Sequence, residues 1–540
     1  MTRSKFRFKR LDRIGVPDAG EDREFLEHCF VDTEDVEALL DCGDSRRVVV
    51  GGTGCGKTAL LDRLSRTHVR VLTIAPESLA LAHITNSTIL KYLLSLGVKL
   101  DIFFKLLWRH VFTVEILRSH FGVYSEADQV SFLQKVRTLF DVKHRRAVKY
   151  LEEWGRTFWK ETDYRIKELT TKLEREISGS INSKVPGVSF TASDAHKLTQ
   201  QQIQEVVERA QVVVNQVQIR ELSEVLEMLD AVLDDPQKPY YVLIDRLDEN
   251  WIEDRFRYLL VRALLETVRD FRKVRNAKIV VALRRDLIDR VFKLTRDAGF
   301  QQEKYESIYL RLDWSERELV ELLRARLGYL LKKRGVRDVP DVSDLLPKYI
   351  DQLPALEYIV SRTLRRPRDA IQFMNCCIEQ AIDRSAISVD NVRQAEGVYS
   401  PARLRAIADE WAADYPTLLR HIGILKNRQA LFPLEEISDS DVAESCLRFA
   451  ISDEASPPCP LGAAALATAN GLVSPSVFRA MALDVFYRTG IIGLKLEKHE
   501  GIEWAYAGHK SISSAEQELP GVRVAIHQGF WRTLGVRLHS

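Results

Sequence analysis

The sequence predicts an α/β fold built on a parallel sheet, and three observations carry that expectation. Short apolar strand signals at Val48–Val50, Val69–Ile74, Tyr240–Ile244, Lys278–Leu283 and Ile308–Leu312 alternate with helical patterns, the rhythm of a parallel sheet. A glycine-rich loop follows the first strand signal at once and opens a helix. The tail runs helix Val477–Arg488, Gly490, then strand candidates Ile491–Leu496, Glu503–Ala507 and Val522–Ile526. A helix followed by a β-ribbon is the order of a winged-helix module.

Each element has its own signal. Thr58–Ser65 reads as helix after the loop, and Asp254–Lys273, Asp286–Asp297 and Ser315–Lys332 follow the later strands. The last of these opens on a capping box, Ser315 with Glu318, and Gly335 stands just beyond its end. Residues from about 85 to 235 break the rhythm and are mostly helical. Ile166, Leu169, Leu173 and Ile177 share one helical face, as do Ile203, Val206, Ala210, Val213 and Val217. Between them Ser178–Ala192, with Gly179, Pro186 and Gly187, reads as a hairpin or loop. The interval is expected to be a helical insertion within the sheet domain.

Gross composition is that of an ordinary soluble protein. The 540 residues are 45% apolar and 29% charged, with a net charge of +2, and point to about three or four domains. Near neutrality removes a global attraction to nucleic acid or membrane. No stretch is long and apolar enough to span a bilayer, and residues 455–478, though uncharged, are broken by prolines into a loop and a short helix. Six basic residues among the first thirteen have no apolar core behind them, so they read as a solvated arm or one that touches nucleic acid, and not as a secretory signal. Seven cysteines without a Cys-x-x-Cys pair exclude a disulfide scaffold or zinc ribbon and fit a reducing, cytoplasmic location.

The chemistry concentrates in Gly51-Gly52-Thr53-Gly54-Cys55-Gly56-Lys57-Thr58, a full match to G-x-x-x-x-G-K-[ST]. Glycines let the backbone turn tightly, so that successive N–H groups converge on phosphate oxygens. The following helix, entered through Ala59, presents its positive end to the same anion. Lys57 is expected on the β- and γ-phosphates and Thr58 on Mg²⁺, so the ligand is a nucleoside triphosphate, ATP with Mg²⁺. The strand Tyr240–Ile244 delivers Asp245 to its end, where it would complete the metal shell. Many such sites place Glu directly after that acid. Here Arg246 stands there, leaving Asp248 and Glu249 to orient water or cap a helix. Arg284, at the end of the fourth strand, reads as a γ-phosphate contact or a salt-bridge partner. Arg368, in the basic stretch Arg362–Asp369, reads as a nucleotide contact from a helical lid or as surface charge.

The order phosphate loop, metal Asp, strand-edge Arg and helical Arg-Pro-Arg-Asp resembles the AAA+ and STAND ATPases, including origin-recognition-like members. Four stretches strengthen the resemblance to a bacterial group of P-loop ATPases: Cys29–Thr33, Ile244–Trp251, Val281–Asp286 and Ile526–Gly535. The resemblance implies an AAA+-like core with strand order 5-1-4-3-2, a helical lid and a C-terminal winged helix. It implies that Phe30 and Val31 pack near the adenine. It also implies a nucleotide-gated switch of the kind used in defence pathways, exchanging ATP for ADP and working as a homo-oligomer or through an effector partner. Arg246 suits a slow switch better than a motor. The alternative is an ATPase that binds DNA through its winged helix. Basic residues there are dispersed among acids, and His527 stands alone as a structural residue. The expected organisation is a basic arm over 1–20, a P-loop core over 21–314 with the insertion at about 85–235, a lid over 315–400 and a winged-helix-like domain over 401–540.

Overall fold

The structure, a computed structural model, describes residues 6–31, 34–67, 69–76, 84, 86–136, 142–154, 160, 162–182, 198–249, 252–295, 303–336, 342–452, 458–496, 501–506 and 521–538. The chain divides into two units, one of Asp32–Gly51 with Lys57–Leu312, the other of Met1–Val31, Gly52–Gly56 and Asp313–Ser540.

The first unit holds a five-stranded parallel sheet of β1 (Val48–Gly51), β2 (Val71–Ile74), β3 (Tyr240–Ile244), β4 (Ala277–Arg284) and β5 (Tyr309–Arg311). Their spatial order is β5-β1-β4-β3-β2, the order the resemblance implied. β1, β3 and β4 read as almost unbroken apolar runs and are buried along nearly their whole length, as central parallel strands with both faces covered must be. Register aligns Val48 with Val281 and Val281 with Ile244, so all three strands deliver their C-terminal residues to one edge. Lys278, buried in β4, donates through Nζ to the carbonyls of Ala38 and Asp41 at 2.8 and 2.6 Å. That pair of acceptors, near the end of the helix Glu34–Leu40, satisfies a charge otherwise costly to bury. Burial still lowers the Lys278 pKa to about 8.

The insertion is helical as expected and shares its core with the sheet. Its helix Asp101–Phe121 lies on Asp254–Asp270, and Trp108 donates through Nε1 to the Leu260 carbonyl at 2.9 Å. Leu173, Ile177, Val206 and Ala210 are buried in the same cluster as Val48 and Ile279. The predicted loop over Ser178–Ala192 is corrected in its first part. The helix Thr162–Asn182 runs straight through Gly179, because Ile177 and Ile181 continue its buried face, and the remainder lies outside the described residues.

In the second unit, the helices Glu316–Lys333, Ala355–Ser361, Pro367–Gln380 and Val389–Glu410 form one bundle, with a two-residue hairpin of β6 (Tyr349–Ile350) and β7 (Leu353–Pro354). The Ser315–Glu318 capping box is present. The expectation of a solvated N-terminal arm fails for the described residues. Phe8 and Ile14 are fully buried in the bundle core with Leu319, Leu323 and Phe373, while Arg7 before them and Lys9, Arg10 and Arg13 between them stay exposed. Apolar residues embedded in the basic run pin it down. Two boundaries also move. Phe25 and Cys29 pack in this core, so residues up to Val31 belong with the lid and not with the sheet. The helix Val389–Glu410 runs on through Pro401, across the expected border at 400.

Beyond it lies a second core, centred on Ile437, Phe478, Phe486 and Leu494. Here β8 (Leu431–Pro433), β9 (Ile492–Lys495) and β10 (Arg523–Ile526) form an antiparallel sheet in the order β8-β10-β9. The helices Asp439–Ala450, Pro460–Ala469 and Pro475–Arg488 fall between β8 and β9 in the chain. The strand candidate Glu503–Ala507 shrinks to a single bridge between Glu503 and Leu494, and Ala507 lies outside the described residues.

Candidate functional site

β1 ends at Gly51, the loop Gly52–Gly56 turns, and the helix Lys57–Thr67 begins. Two of the loop's glycines are required by conformation. Gly54 and Gly56 have φ of +76° and +99°, where a side chain is strained. At Gly54 space forbids one as well, since a Cβ there would lie 2.8 Å from Arg368 Cβ. Lys57 reaches back to the Gly51 carbonyl at 3.2 Å. Thr53 carries a buried hydroxyl that makes no hydrogen bond among the described residues, and Cys55 is buried. Thr58 and Ala59, in the first turn, are half-buried.

The C-terminal edge of the sheet leads into the predicted acids. Asp245 follows β3 and accepts from the Arg246 N–H at 2.8 Å through Oδ1. Arg246 adopts φ +60°, the left-handed region, so the chain turns sharply there. Its Nε lies 3.8 Å from Glu249 Oε1, and both side chains are about half exposed. Arg284 pairs in register with Gly51, which sets it beside the loop's entry. Its guanidinium holds Asp286 through two hydrogen bonds, 2.9 and 3.0 Å, and lies 3.7 Å from Asp248. Both acids proposed to orient water therefore face arginines.

Among the described residues no group of three or more His, Cys, Asp or Glu could hold a metal by itself. A Mg²⁺ ion needs no such group, since it keeps several waters and binds through one or two protein oxygens plus phosphate. Thr58 and Asp245 are the residues that would hold it, and the ion would neutralise charge on the terminal phosphates.

Within the second unit the loop meets Arg368, which the sequence singled out, and Trp314 and Arg366, which it did not. Trp314 donates through Nε1 to the Cys55 carbonyl at 2.7 Å. The Arg368 N–H donates to the Gly54 carbonyl at 3.3 Å, while its side chain turns to the Pro17 carbonyl, also at 3.3 Å. Arg366 lays its guanidinium against Gly52, with Nη2 3.7 Å from where a Cβ would stand. Sequence spacing named Arg368 and missed Arg366. The available signal was Pro367, which fixes Arg366 as the N-cap of a helix and so aims its side chain off the helix end. Phe30 and Val31 follow the helix Arg23–Cys29 and are half-buried, Val31 against the lid core. Asn250 and Trp251, in the stretch that began at Ile244, and Asp32 and Thr33, which end another, lie outside the described residues.

Residues 317–408 match a family model described as the FunZ-associated C-terminal helical domain. This segment takes in most of the four-helix bundle. No curated protein matches the chain. Among solved structures, the chain is similar to a Walker-type ATPase of Pyrococcus abyssi, at 12% identity and a TM-score of 0.36, over 89% of this chain and 94% of that one.

Proposed function

We propose that this protein binds Mg-ATP at Gly51–Thr58, hydrolyses it slowly and works as a nucleotide-gated switch whose output passes to a partner or a second copy. The observation that carries the reading is the complete G-x-x-x-x-G-K-T match, seated between β1 and a helix in a β5-β1-β4-β3-β2 sheet. Slow turnover follows from the acids at the sheet edge. Arg246 occupies the position after the metal acid, and Asp248 and Glu249 each have an arginine within 4 Å to hold the carboxylate away from water. A role in defence or signalling rests on the resemblance alone.

DNA binding through the C-terminal module has weaker support. In the helix Pro475–Arg488, which would enter a groove, Arg479 pairs with Asp439 and Arg488 with Asp484. A recognition helix keeps its basic side chains for phosphates and bases.

Calorimetry with Mg-ATP tests the core of the proposal. Lys57→Ala is expected to lower affinity by at least about tenfold, the worth of a charge-assisted contact to phosphate. Asp245→Asn is expected to remove the Mg²⁺ dependence of binding. Unchanged affinity in Lys57→Ala overturns the assignment. Turnover of many ATP per second without a partner overturns the slow switch.

A further inference from the structure

Arg366 sits in a buried ionic chain that is short of hydrogen bonds. Its side chain is 11% exposed, and Nη1 donates to Glu410 Oε2 at 2.8 Å across 44 residues of sequence. The same carboxylate oxygen lies 3.8 Å from Nη2 of a second arginine, Arg403. That distance is within ion-pair range and beyond a hydrogen bond. Arg403 is 5% exposed, and its Nη1 is paired with buried Asp369 at 2.9 Å. Among the described residues, Arg403 Nε and Nη2 make no hydrogen bond, and neither does the nearby Trp411 Nε1. Unmade bonds on buried donors cost more than bonds made there return, so Arg403 has a standing need for the acceptor that Arg366 now holds. Burial works against the charge on Arg366, yet Glu410 and Asp369 more than offset it, so the guanidinium stays charged.

We propose that Arg366 is a phosphate ligand of the loop at Gly52, that Glu410 holds it off the phosphate, and that Arg403 takes over Glu410 when Arg366 turns to a nucleotide. Three features support this. The Arg366 guanidinium already lies against Gly52, its Nη2, Cζ and Nε 3.7 to 3.8 Å from where a Cβ would stand. One carboxylate is shared by two arginines at unequal distances, the geometry of an exchange rather than of a fixed pair. After the exchange no charge is left buried alone, because Glu410 would pass to Arg403 and Arg366 to phosphate. A guanidinium suits the second role, since its planar fork matches phosphate oxygens. The Glu410–phosphate competition makes binding weaker than the loop alone would allow. It also makes the junction of the helices Pro367–Gln380 and Val389–Glu410 depend on occupancy.

This inference rests on the proposal that the loop binds ATP, and the experiment separates the two. Mg-ATP and Mg-ADP titrations of the full chain are compared for wild type, Lys57→Ala, Arg366→Gln, Glu410→Gln and the double variant Arg366→Gln/Glu410→Gln, with thermal melts alongside. Arg366→Gln is expected to weaken ATP about tenfold, and Glu410→Gln to tighten it by a smaller factor, because the competing charge-assisted bond it removes is partly offset by the Arg403–Glu410 bond it also removes from the bound state. The double variant is expected to match Arg366→Gln, since Glu410 acts only through Arg366. A merely structural pair predicts lowered melting and weaker ATP in both single variants, and that result overturns the proposal. So does an equal gain from Glu410→Gln whether or not Arg366 is present. Arg366→Lys, which keeps charge and packing, decides the case if Arg366→Gln does not fold. It is expected to recover only part of the affinity, and full wild-type affinity removes any special role for the guanidinium. If wild type binds ATP and Lys57→Ala does not, while these variants fail, the exchange falls and the ATP site stands. If wild type binds no nucleotide, both fall.

Discussion

Two arginines lie beside consecutive residues of the phosphate loop, Arg284 beside Gly51 and Arg366 beside Gly52, and each holds a carboxylate, but they do so in different ways. Arg284, in register with Gly51 at the sheet edge, holds Asp286 two residues away. Arg366, against Gly52 in the lid unit, holds Glu410 across 44 residues. The first pair is made within one turn of chain and joins nothing that the backbone has not already joined. The second fastens the start of one helix to the end of the next. A local pair can be broken with little consequence beyond itself, while a long-range buried pair sets the arrangement of two elements. A device that responds to a ligand needs the second kind, because a ligand shifts an equilibrium only by interacting differently with two states.

The largest expected effect tests that difference directly. Glu410→Ala removes one partner of a pair whose side chains are 11% and 8% exposed, leaving Arg366 and Arg403 without their shared acceptor. The expected cost is about 3–5 kcal/mol of stability, the usual penalty for stranding a buried charge. Chemical denaturation measures it. A cost below about 1 kcal/mol, in the range of an exposed pair, would place this pair in the same class as Arg284–Asp286.

What was legible in the sequence follows the same division between local and distant. The sheet could be read because β3 and, apart from Lys278, β4 are apolar runs that lead to chemistry-bearing residues, Asp245 and Arg284, and the loop could be read because its glycines and Lys57 lie in eight consecutive positions. The Ser315 cap was legible for the same reason. The Arg366–Glu410 pair was not, because nothing within a few residues of either one indicates the other. β8 is three residues long and ends in Pro433, too short to show alternation, and it exists because β10 pairs with it. The N-terminal segment misled the reading because charge outnumbers apolar residues there. Phe8 and Ile14 have their burial decided by helices more than three hundred positions away.

Acid sharpens the comparison by locating which region yields first. In the C-terminal module of the lid unit, burial lowers the pKa of His421 to about 4 and that of His527 to about 3, with Arg420 and Arg362 adding to the two shifts respectively. Both therefore fold as neutral imidazoles, while the unfolded chain takes up protons near 6.5. As pH falls below that value the unfolded state binds more protons, so stability declines, by up to about 1.4 kcal/mol per pH unit for each histidine. For His421 the decline continues until pH reaches its folded value of about 4. His421→Gln is expected to flatten the slope between those limits, as read from urea midpoints at successive pH values. An unchanged slope would mean that the loss lies elsewhere, in the sheet unit or its carboxylates.

The smallest effect is expected at the sheet edge, and it is the one that most directly tests the local pair. Asp286 and Arg284 are 15% and 17% exposed, so their two hydrogen bonds are sheltered but within reach of water. Asp286→Asn removes the charge and keeps an oxygen acceptor for one of the two bonds. Arg284 is not stranded by this, because Asp248 already lies 3.7 Å from its Nη1 and is free to close that distance. Arg290, which also reaches Asp286 at 3.4 Å, is about a quarter exposed. The expected cost is about 1 kcal/mol or less, near that of an exposed ion pair and well below that of Glu410→Ala. The same shift draws Asp248 further from any water it could orient, so turnover should fall while ATP affinity holds. Calorimetry and a steady-state phosphate-release assay on this one variant read both quantities. A cost approaching that of Glu410→Ala, or a faster turnover, would show that the edge pair holds more than its own two side chains.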